Sequence, residues 1–593
     1  MKVAEFLVDR LLQWNIRRIY GYSGDAINPI LAALAKRQDE ISYVQARHEE
    51  MVAFMACAHA KFTGEVGVAL ATSGPGAIHM LNGLYDAKLD NQPVVAIVGQ
   101  QTRLALGTDF MQEVDLANLY KDVAGDYVQV AMVAQQVRHL LDRAIRIAKA
   151  ERAVTCLIIP VDVQTEDAKP HPKREHGQSF TGIGYSAPRV VPQQSELIKA
   201  AEVLNSGEKI AMLVGSGCLG ATEEVLSVAD VLQAGVAKAL LGKAVLSDEL
   251  PFVTGAIGLL GTRASWDLMQ NCDTLFMLGS SFPYSEFLPK EGKARGVQID
   301  LAPQNVSLRY PMEVNLVGDA KETLGELLPL LNRKTRGAWR EKVEKSVDAW
   351  WKTVAERAET AAEQFVNPQA FFWHLNSNLP DNAIVIPDCG TSTVWVARDL
   401  KLRPGMMFST SGGLATMGCA MPYSIAAKFA WPDRPVFAFV GDGAMQMNGM
   451  SELITVAKHW KEWSNPALTV VVLNNRDLNF VTWEQRGTVG MPRFANSQDV
   501  PDVRYDEFAR SLGLNGIRID SREQLEDSWS SALCSDKPTV IDLIVDPNLP
   551  PLPPHISFKE AKAFVESMKA DPERESAFFN AVKQMAPSLF PGW

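Results

Sequence analysis

The sequence predicts an α/β protein of three doubly wound parallel sheets. Short apolar runs recur along the 593-residue chain and are continuous rather than alternating, as in strands that are buried on both faces. Segments with helical periodicity separate these runs, so we expect parallel strands that are joined by crossover helices. A stretch rich in proline, glycine and lysine without periodicity, residues 166–192, is predicted as a linker between units.

The units follow one another in a simple order. We predict a first domain over residues 1–180, a central domain over residues 190–340, a third domain over residues 365–550 and a C-terminal tail over residues 551–593. The first and third domains show the same succession of strand, glycine-rich turn, helix and strand, so we expect them to be alike. The tail has an apolar helical face but no basic polar face. This composition does not favour a membrane surface, and it leaves a lid, an anchor or plain packing as alternatives.

The composition argues against several classes of protein. A net charge of −11 and the lack of a basic stripe argue against nucleic acid as a partner. The seven cysteines form no CxxC pair, which predicts reduced thiols and a cytoplasmic setting rather than disulfides or zinc. The N-terminus has helical spacing with interspersed charges, which is not typical of a signal peptide. No apolar run approaches the ~20 residues of a membrane span.

Polar residues of the third domain follow two predicted strands at their carboxyl ends. One apolar strand ends in Gly441-Asp442-Gly443, and the next strand ends at Asn475. Because parallel strands end at the same edge of a sheet, we expect one carboxylate and one amide oxygen to meet there. Such hard oxygen ligands suit Mg²⁺ with a diphosphate that completes its coordination. A generic strand–helix turn with a chance aspartate is the alternative.

This motif resembles the diphosphate and metal motif of the thiamine diphosphate enzymes, which begins with GDG and ends in one or two asparagines. The intervening segment is longer than is usual in that family, and we ascribe the excess to a surface insertion around residues 459–466. The resemblance implies that Mg²⁺ is held by Asp442, Asn475 and the backbone carbonyl of Asp477. The implied cofactor contacts in this motif are Gly441, Asp442, Gly443, Ala444 and Asn475.

Glu49 lies in the run RHEE, residues 47–50, between a predicted strand and a predicted helix. From the residues alone, an acidic side chain is favoured at a helix N-terminus by the helix dipole. The run is similar to the RHE segment of the same family, whose glutamate bonds to N1′ of the coenzyme's aminopyrimidine. A carboxyl there favours the tautomer whose 4′-nitrogen takes the proton from thiazolium C2, so the resemblance implies that Glu49 is catalytic. Gly24 and Ser73, in two other turns of the first domain, are further implied coenzyme contacts.

The expected substrate contacts come from two segments. Gln112 matches a family glutamine that approaches the substrate carbonyl, but Met111 stands where relatives often have phenylalanine, which leaves the substrate size open. Phe480 and Glu484 follow the metal loop and are implied to lie near the substrate; core packing is the alternative for Phe480. A lone histidine on an apolar helix, His79, is expected to pack rather than to take part in catalysis.

Two more turns of the third domain carry implied coenzyme contacts. The loop SGGLATMG, residues 411–418, is similar to a family segment whose large apolar side chain, here Met417, wedges between the two coenzyme rings. Residues 388–393 follow a strand, and N–H groups and hydroxyls at such a turn can hold a diphosphate, with helix capping as the alternative for each hydroxyl. The implied contacts are Ala415, Thr416 and Met417 in the first turn and Gly390, Thr391 and Ser392 in the second.

The central domain carries glycine-rich segments of a dinucleotide-binding type. A GxGxxG run over residues 215–220 follows a strand, but residues 236–241 lack the acidic residue of an NAD site, so a tight turn is the alternative there. Other segments resemble the FAD-binding stretches of pyruvate oxidase and of pyruvate:quinone oxidoreductase. Asp300, at a strand end, is expected to bind a ribose hydroxyl. The implied FAD contacts are Gly258, Gly261, Gly279, Ser280, Phe282, Pro283 and Asp300.

The resemblance implies oxidative decarboxylation of pyruvate or a similar small 2-oxo acid, with electrons passing through FAD to quinone or O₂. A carboligase of the acetolactate synthase type, with structural or absent FAD, is the first alternative, and a degenerate scaffold without activity is the second. No adjacent pair of histidines occurs, which argues against the non-oxidative pyruvate decarboxylase branch. Because the family builds each site between two subunits, we expect a homodimer or a homotetramer.

Overall fold

Three six-stranded parallel sheets form the scaffold of the protein. The computed structural model describes residues 1–125, 127–169, 176–360 and 365–589, with side chains as far as residue 585. The predicted class, α/β with doubly wound parallel sheets, is confirmed. Each sheet falls within one predicted domain, and the exact domain boundaries stay predictions.

The first sheet has the strand order β2-β1-β3-β4-β6-β5. Its strands are β1 (Arg18–Gly21), β2 (Ser42–Gln45), β3 (Gly67–Ala71), β4 (Val94–Gln100), β5 (Val128–Val130) and β6 (Val154–Pro160). Its helices are α1 (Val3–Gln13), α2 (Asn28–Ala35), α3 (Glu49–Thr63), α4 (Pro75–His79), α5 (Leu81–Leu89), α6 (Leu116–Leu119), α7 (Ala134–Glu151) and α8 (Val161–Thr165).

The second sheet belongs to the central domain. Its strands are β7 (Ile210–Val214), β8 (Gly235–Lys238), β9 (Val253–Ala256), β10 (Thr274–Leu278), β11 (Arg295–Asp300) and β12 (Val314–Val317). Its helices are α9 (Gln194–Ser206), α10 (Thr222–Leu232), α11 (Arg263–Asn271), α12 (Ala320–Leu327) and α13 (Ala338–Glu359). The order β12-β11-β10-β7-β8-β9 is that of the dinucleotide-binding doubly wound fold, in which the order reverses between β7 and β10.

The third sheet has the order β14-β13-β15-β16-β18-β17. Its strands are β13 (Ile384–Pro387), β14 (Met407–Phe408), β15 (Val436–Gly441), β16 (Leu468–Asn474), β17 (Asn515–Ile519) and β18 (Thr539–Ile544). Its helices are α14 (Pro368–Asn378), α15 (Thr391–Asp399), α16 (Ala420–Ala430), α17 (Asp442–Ala444), α18 (Met450–His459), α19 (Asn479–Glu484), α20 (Ala495–Gln498), α21 (Tyr505–Ser511) and α22 (Leu525–Leu533). The tail adds α23 (Phe558–Ser567) and α24 (Arg574–Leu589).

The first and third sheets have the same topology. Counted along the chain within each domain, both sheets place their strands in the order second, first, third, fourth, sixth and fifth. The predicted likeness of these two domains is therefore confirmed. Residues 176–193 contain no helix or strand, as expected of a linker, while residues 170–175 of that prediction lie outside the described residues. Among the described helices, none combines the length and the apolar character that crossing a bilayer requires.

The first and third domains share one hydrophobic core, in which α3 packs against α16. Phe54 of α3 and Tyr423 of α16 are fully buried, and their rings meet edge to face at 6.4 Å. A buried carboxylate reinforces this contact, because Asp86 of α5 accepts hydrogen bonds from the hydroxyls of Tyr423 (2.5 Å) and Ser411 (2.6 Å). Helices of two domains are thus joined by both apolar packing and polar bonds.

We expect Tyr423→Phe to lower the free energy of unfolding by about 1–3 kcal/mol, because it leaves a buried carboxylate without one donor. The measurement is a urea denaturation curve followed by far-UV circular dichroism. Tyr85→Phe is the matched control, since the Tyr85 hydroxyl bonds to Asp122 at an exposed position. Equal denaturation midpoints for the two variants would contradict this role of Asp86.

Candidate active site

The carboxyl edge of the third sheet gathers the predicted metal ligands. Asp442 directly follows β15 and is 2% exposed. Its Oδ1 accepts the N–H of Gly443 at 2.8 Å, and its Oδ2 accepts the N–H of Arg476 in the loop after β16. The pairing of Gly441 with Leu473 places these two loops side by side. The structure therefore brings the GDG turn and the asparagine loop together, as the sequence predicts.

Burial dominates the electrostatics of Asp442. It raises the pKa of this carboxyl to about 7, although the backbone N–H groups of Arg476, Gly443 and Asn475 favour the charged form. A divalent cation at the same place would stabilise the ionised carboxylate instead. The carboxylate and the nearby amide oxygen of Asn475 form a donor set of hard oxygens, which fits Mg²⁺.

Asp477 has its side chain fixed by other residues. Its carboxylate accepts hydrogen bonds from Nε of Arg493 at 3.0 Å, from the hydroxyl of Thr482 at 3.0 Å and from the amide of Asn479 at 3.0 Å. Its N–H donates to Oδ1 of Asn475 at 3.1 Å. With its carboxylate committed in this way, Asp477 has its backbone carbonyl left to offer to a metal, and the ligand role that the resemblance implies stays a prediction.

The predicted diphosphate turn lies between β13 and α15. Gly390 precedes the helix with φ 119°, which favours glycine. The hydroxyl of Ser392 donates to the carbonyl of Asp388 at 2.7 Å, so the helix N–H groups, rather than this hydroxyl proton, are left to face an anion. Thr391 is buried at the first position of the helix.

Asp388 is a residue of this site that sequence reasoning missed. Its fully buried carboxylate accepts the N–H groups of Cys389, Gly418 and Ala420, each at 2.9 Å. Burial raises its pKa to about 6. The bonds to Gly418 and Ala420 tie the turn after β13 to the end of the loop that carries Met417. Its position directly after a strand, like that of Asp442, was the available signal.

The loop that holds Met417 is anchored from both sides. Ala415 has φ 53°, a left-handed backbone that is uncommon for residues other than glycine. The hydroxyl of Thr416 accepts a hydrogen bond from Asn82 of the first domain at 3.1 Å. Met417 is half-buried, and a Cβ built on Gly443 would lie 3.3 Å from its Cε. The structure therefore places the predicted wedge beside the GDG turn.

The predicted first-domain residues also lie together. Glu49 begins α3 and is 8% exposed, and a Cβ built on Gly76 would lie 3.1 Å from its Oε1. The hydroxyl of buried Ser73 donates to Oε1 of Gln112 at 3.4 Å, and Gln112 has φ 62°. Gly24 packs against the side chain of residue 72, in the same loop as Ser73. The loop of residues 72–76 therefore lies beside Glu49 through Gly76 and beside Gln112 through Ser73.

The expectation that His79 packs is wrong. Its side chain is 42% exposed rather than packed, and its Nδ1 lies 2.9 Å from Oε2 of Glu49. Its ring also stacks on His48, with the ring centroids 4.4 Å apart. His79 ends α4, the short helix that follows the loop of residues 72–76, and that neighbourhood was the signal in the sequence. Glu49 therefore has a histidine partner at the carboxylate.

Within one chain, the two groups of predicted residues are not joined directly. The contacts of Glu49 among the described residues come from its own domain. Its neighbour Glu50 instead accepts hydrogen bonds from Asn82 at 2.5 Å and from Asn448 of the third domain at 3.4 Å. Glu50 therefore adds a polar contact between the first and third domains, whereas Glu49 makes its contacts within the first domain.

The segment after the metal loop borders an apolar cavity of about 750 Å³. Glu484 is among its lining residues, with Val481, Met491 and Phe494, and burial raises the pKa of Glu484. Phe480 instead packs against the buried core of the third domain, so core packing is the observed arrangement for this residue. A π-helical segment, Gln485–Val489, follows Glu484, and another, Met445–Gly449, follows the GDG turn. Such segments are frequent at functional sites.

The predicted FAD residues lie at the carboxyl edge of the second sheet. Gly279 and Ser280 follow β10 at the point where the strand order reverses, and Asp300 ends β11. The N–H of Gly217 donates to the carbonyl of Gly279 at 3.0 Å, so this part of the GxGxxG run forms a tight turn, as the alternative interpretation has it. Oδ1 of Asp300 accepts the N–H of residue 302 at 2.9 Å.

The other predicted FAD residues lie in two neighbouring loops. Gly258, with φ 96°, packs close to the buried ring of Phe282, because a Cβ built on Gly258 would lie 3.1 Å from that ring. Gly261 donates its N–H to the carbonyl of Gly258 at 2.9 Å. Pro283 follows Phe282 and is exposed. The loops after β9 and β10 therefore meet through these residues.

Three family models match the chain. The model of the thiamine pyrophosphate enzyme N-terminal TPP binding domain matches residues 1–119, that of the central domain matches residues 197–327, and that of the C-terminal TPP binding domain matches residues 388–543. Each match falls within one of the three sheet-forming units.

Relatives match almost the whole chain. The chain is 35% identical over 586 residues to the putative thiamine pyrophosphate-containing protein YdaP of Bacillus subtilis, covering 99% of this chain and 98% of that protein. It is 29% identical over 546 residues to pyruvate oxidase of Lactiplantibacillus plantarum, covering 91% and 87%. It is 28% identical over 609 residues to a probable acetolactate synthase large subunit of Methanococcus aeolicus, covering 98% of each.

The two glycines of the GDG turn give a matched pair of variants. A Cβ on Gly443 would lie 2.6 Å from Cδ2 of Leu478, whereas a Cβ on Gly441 meets no heavy atom within 4 Å. Because Cδ2 is the end of a flexible side chain that can shift, we expect Gly443→Ala to lower the stability of the protein by no more than about 1 kcal/mol and Gly441→Ala to leave it unchanged.

Thermal denaturation without ligands tests this difference in stability. A repeat with Mg²⁺ and thiamine diphosphate tests whether the open space beside Gly441 holds the diphosphate. There we expect Gly441→Ala to lose most of the ligand-induced rise in melting temperature, because its methyl group fills that space. A full rise in this variant would place the diphosphate elsewhere.

Proposed function

The chain belongs to the thiamine pyrophosphate enzyme family, and on this premise we propose that it oxidatively decarboxylates pyruvate or a similar small 2-oxo acid, passing electrons through FAD to quinone or O₂. The observation that carries the oxidative part is the strand order of the second sheet. That order is typical of dinucleotide-binding domains, and the predicted FAD contacts lie at its carboxyl edge, three of them at the strand ends. The similarity to a pyruvate oxidase supports the same choice.

The residues of the third domain fit the diphosphate end of the coenzyme. Asp442, Asn475 and the carbonyl of Asp477 would hold Mg²⁺, and the N–H groups at the start of α15 would face the diphosphate. Met417 would lie beside the rings. When bound, thiamine diphosphate supplies the electron sink for loss of CO₂ from a 2-oxo acid. The role of this domain is to hold and orient it.

Glu49 and His79 would act at the aminopyrimidine. His79 touches Oε2 of Glu49, which leaves Oε1, on the side of Gly76, to exchange a proton with N1′. A residue with a side chain at position 76 would fill this space, since its Cβ would lie 3.1 Å from Oε1. Gln112 would contact the substrate carbonyl, and Glu484, beside its apolar cavity, would face the substrate's methyl side.

The second sheet fits FAD through its exposed apolar residues. Leu259, Tyr284 and Leu301 are 38%, 41% and 47% exposed, and each directly follows a predicted FAD contact. Apolar side chains of this size suit the flat rings of a dinucleotide. Asp300 would bind a ribose hydroxyl with the oxygen that its own loop leaves available.

An assembly of at least two chains fits the arrangement of the site. Glu49 makes its contacts within the first domain, and the loop beside Gln112 exposes Leu104 and Met111 to 93% and 67%. Two copies would bring Glu49 of one chain to the metal loop of the other, as expected for a homodimer or homotetramer. The same association would cover the exposed loop beside Gln112. The free cysteines, most of them buried, suit the cytoplasm.

A carboligase of the acetolactate synthase type is the second candidate. It is favoured by a relative of that name whose identity, 28%, is nearly that of the pyruvate oxidase, 29%. The two candidates differ in the fate of the electrons. In the carboligase, two substrate molecules are joined and FAD is not reduced.

The deciding experiment is a visible spectrum of the purified protein, followed by addition of pyruvate without oxygen in the presence of Mg²⁺ and thiamine diphosphate. We expect flavin bands that bleach with pyruvate and stay unchanged when the coenzyme is left out. Acetolactate formation without bleaching would replace our proposal by the carboligase.

We expect Glu49→Gln to leave coenzyme binding nearly intact and to lower turnover by about 10²–10⁴-fold, because the amide cannot exchange the proton at N1′. Steady-state turnover and a coenzyme titration followed by tryptophan fluorescence measure the two effects. Glu65→Gln, at an exposed position just after the same helix, is the control and should behave as the unchanged protein. Full turnover in Glu49→Gln would exclude the assigned role.

A further inference from the structure

The C-terminal tail docks on the segment that carries Glu484. The ring of Phe564 in α23 lies 6.1 Å from that of Trp483 in a stacked arrangement. A Cβ built on Gly490 would lie 3.4 Å from the carbonyl oxygen of Ala563. The tail, more than seventy residues further along the chain, therefore packs directly against the π-helical segment Gln485–Val489.

A buried ion pair fixes this contact. Asp571, between α23 and α24, receives two hydrogen bonds from Arg486, with Nε–Oδ2 at 2.8 Å and Nη2–Oδ1 at 3.0 Å. The side chains are 0% and 1% exposed. The N–H of Arg493 donates to Oδ2 of Asp571 at 3.0 Å. One carboxylate of the tail thus holds both ends of the segment 486–493. Removing one partner of such a pair leaves a buried charge uncompensated, so the pair resists opening.

The same contacts continue to the metal loop. Arg493, whose N–H is held by Asp571, donates from Nε to the carboxylate of Asp477 at 3.0 Å. Residues 570–576 of the tail also form one wall of a cavity of about 1210 Å³, and Asn475 and Asp477 line the same cavity. The tail is therefore joined to the predicted ligand loop through one arginine and faces it across a cavity.

We propose that Asp571 is a positioning residue, which holds the segment 484–493 and, through Arg493, the loop of Asp477 in the geometry that the substrate requires. This role rests on the proposed function, because it assigns Glu484 to the substrate side. Apolar packing by Phe564 alone would dock the tail without fixing the arginines. The bidentate hydrogen bonds from Arg486 to Asp571 do fix the arginine, since they set both its distance from the carboxylate and the plane of its guanidinium group.

The test compares Asp571→Asn with Asp142→Asn in the full chain loaded with Mg²⁺ and thiamine diphosphate. Asp142, also 0% exposed, forms a bidentate pair with Arg10 in the first domain, at 2.8 and 2.7 Å, so it controls for the loss of a buried ion pair. We expect Asp571→Asn to raise the KM for pyruvate at least about tenfold while kcat changes less than about threefold. Asp142→Asn should lower stability and leave KM unchanged.

Amide hydrogen exchange supplies a readout that does not depend on activity. In Asp571→Asn, residues 485–493 should exchange at least about tenfold faster, and in Asp142→Asn they should exchange as in the unchanged protein. Asp571→Glu, which keeps the charge, should recover part of both effects. The double variant of Asp571→Asn with Arg486→Gln should show no larger change in KM or in exchange rate than either single variant, because both substitutions remove the same ion pair.

Two results would overturn the proposal: an unchanged KM in Asp571→Asn, or equal exchange in 485–493 for both aspartate variants. If the unchanged protein turned over no 2-oxo acid, the proposed function would fail separately. In that case the affinities of Asp571→Asn and of the unchanged protein for Mg²⁺ with thiamine diphosphate would be compared. If the two affinities agreed within about twofold, the positioning role would be overturned as well.

Discussion

A parallel sheet gathers the carboxyl ends of its strands at one edge, and the candidate site depends on this constraint. In the third sheet, Asp442 follows β15 and Asn475 follows its neighbour β16, so the two ligand loops begin side by side. In the first sheet, the turns of Gly24 and Ser73 follow the paired strands β1 and β3 in the same way. The repeated strand order thus places two complementary half-sites at equivalent edges.

The same constraint explains what could be predicted from the sequence. Continuous apolar runs identify strands, and the residues that follow parallel strands lie at one edge of the sheet. The meeting of the Asp442 turn with the loop of Asn475 could therefore be predicted from the sequence, whereas the role of Glu49 stays a prediction that rests on the family resemblance. The contact of His79 with Glu49 and the pair Arg486–Asp571 were not predicted, because these partners are set by how helices pack on one another; for His79, its place after the loop of residues 72–76 was the one signal. Phe480 shows the same limit, since its periodicity does not distinguish a core residue from a substrate contact.

Three of the nine non-glycine residues with positive φ in the described part of the chain lie at the candidate site. Gln112, Ala415 and Arg476 all have positive φ, an arrangement that costs about 1–3 kcal/mol for each residue. Each of these three residues is a predicted contact or lies next to one. Both π-helical segments also begin within three residues of a predicted contact. Such conformations persist only where the surrounding structure holds them. Their position here agrees with a site that is shaped before a ligand binds.

Two buried carboxylates at strand ends differ in a way that assigns their roles. Asp388 accepts three backbone N–H groups, from the next residue, from Gly418 at the end of the loop of residues 411–418 and from Ala420 at the start of α16, so its oxygens are occupied by the chain. Asp442 accepts N–H groups from its own turn and from the loop after β16 that carries Asn475, and burial raises the pKa of both carboxyls. A cation beside Asp442 would stabilise its charged form. We infer that Asp388 binds two loops together, whereas Asp442, at the equivalent place after β15, is suited to bind the metal.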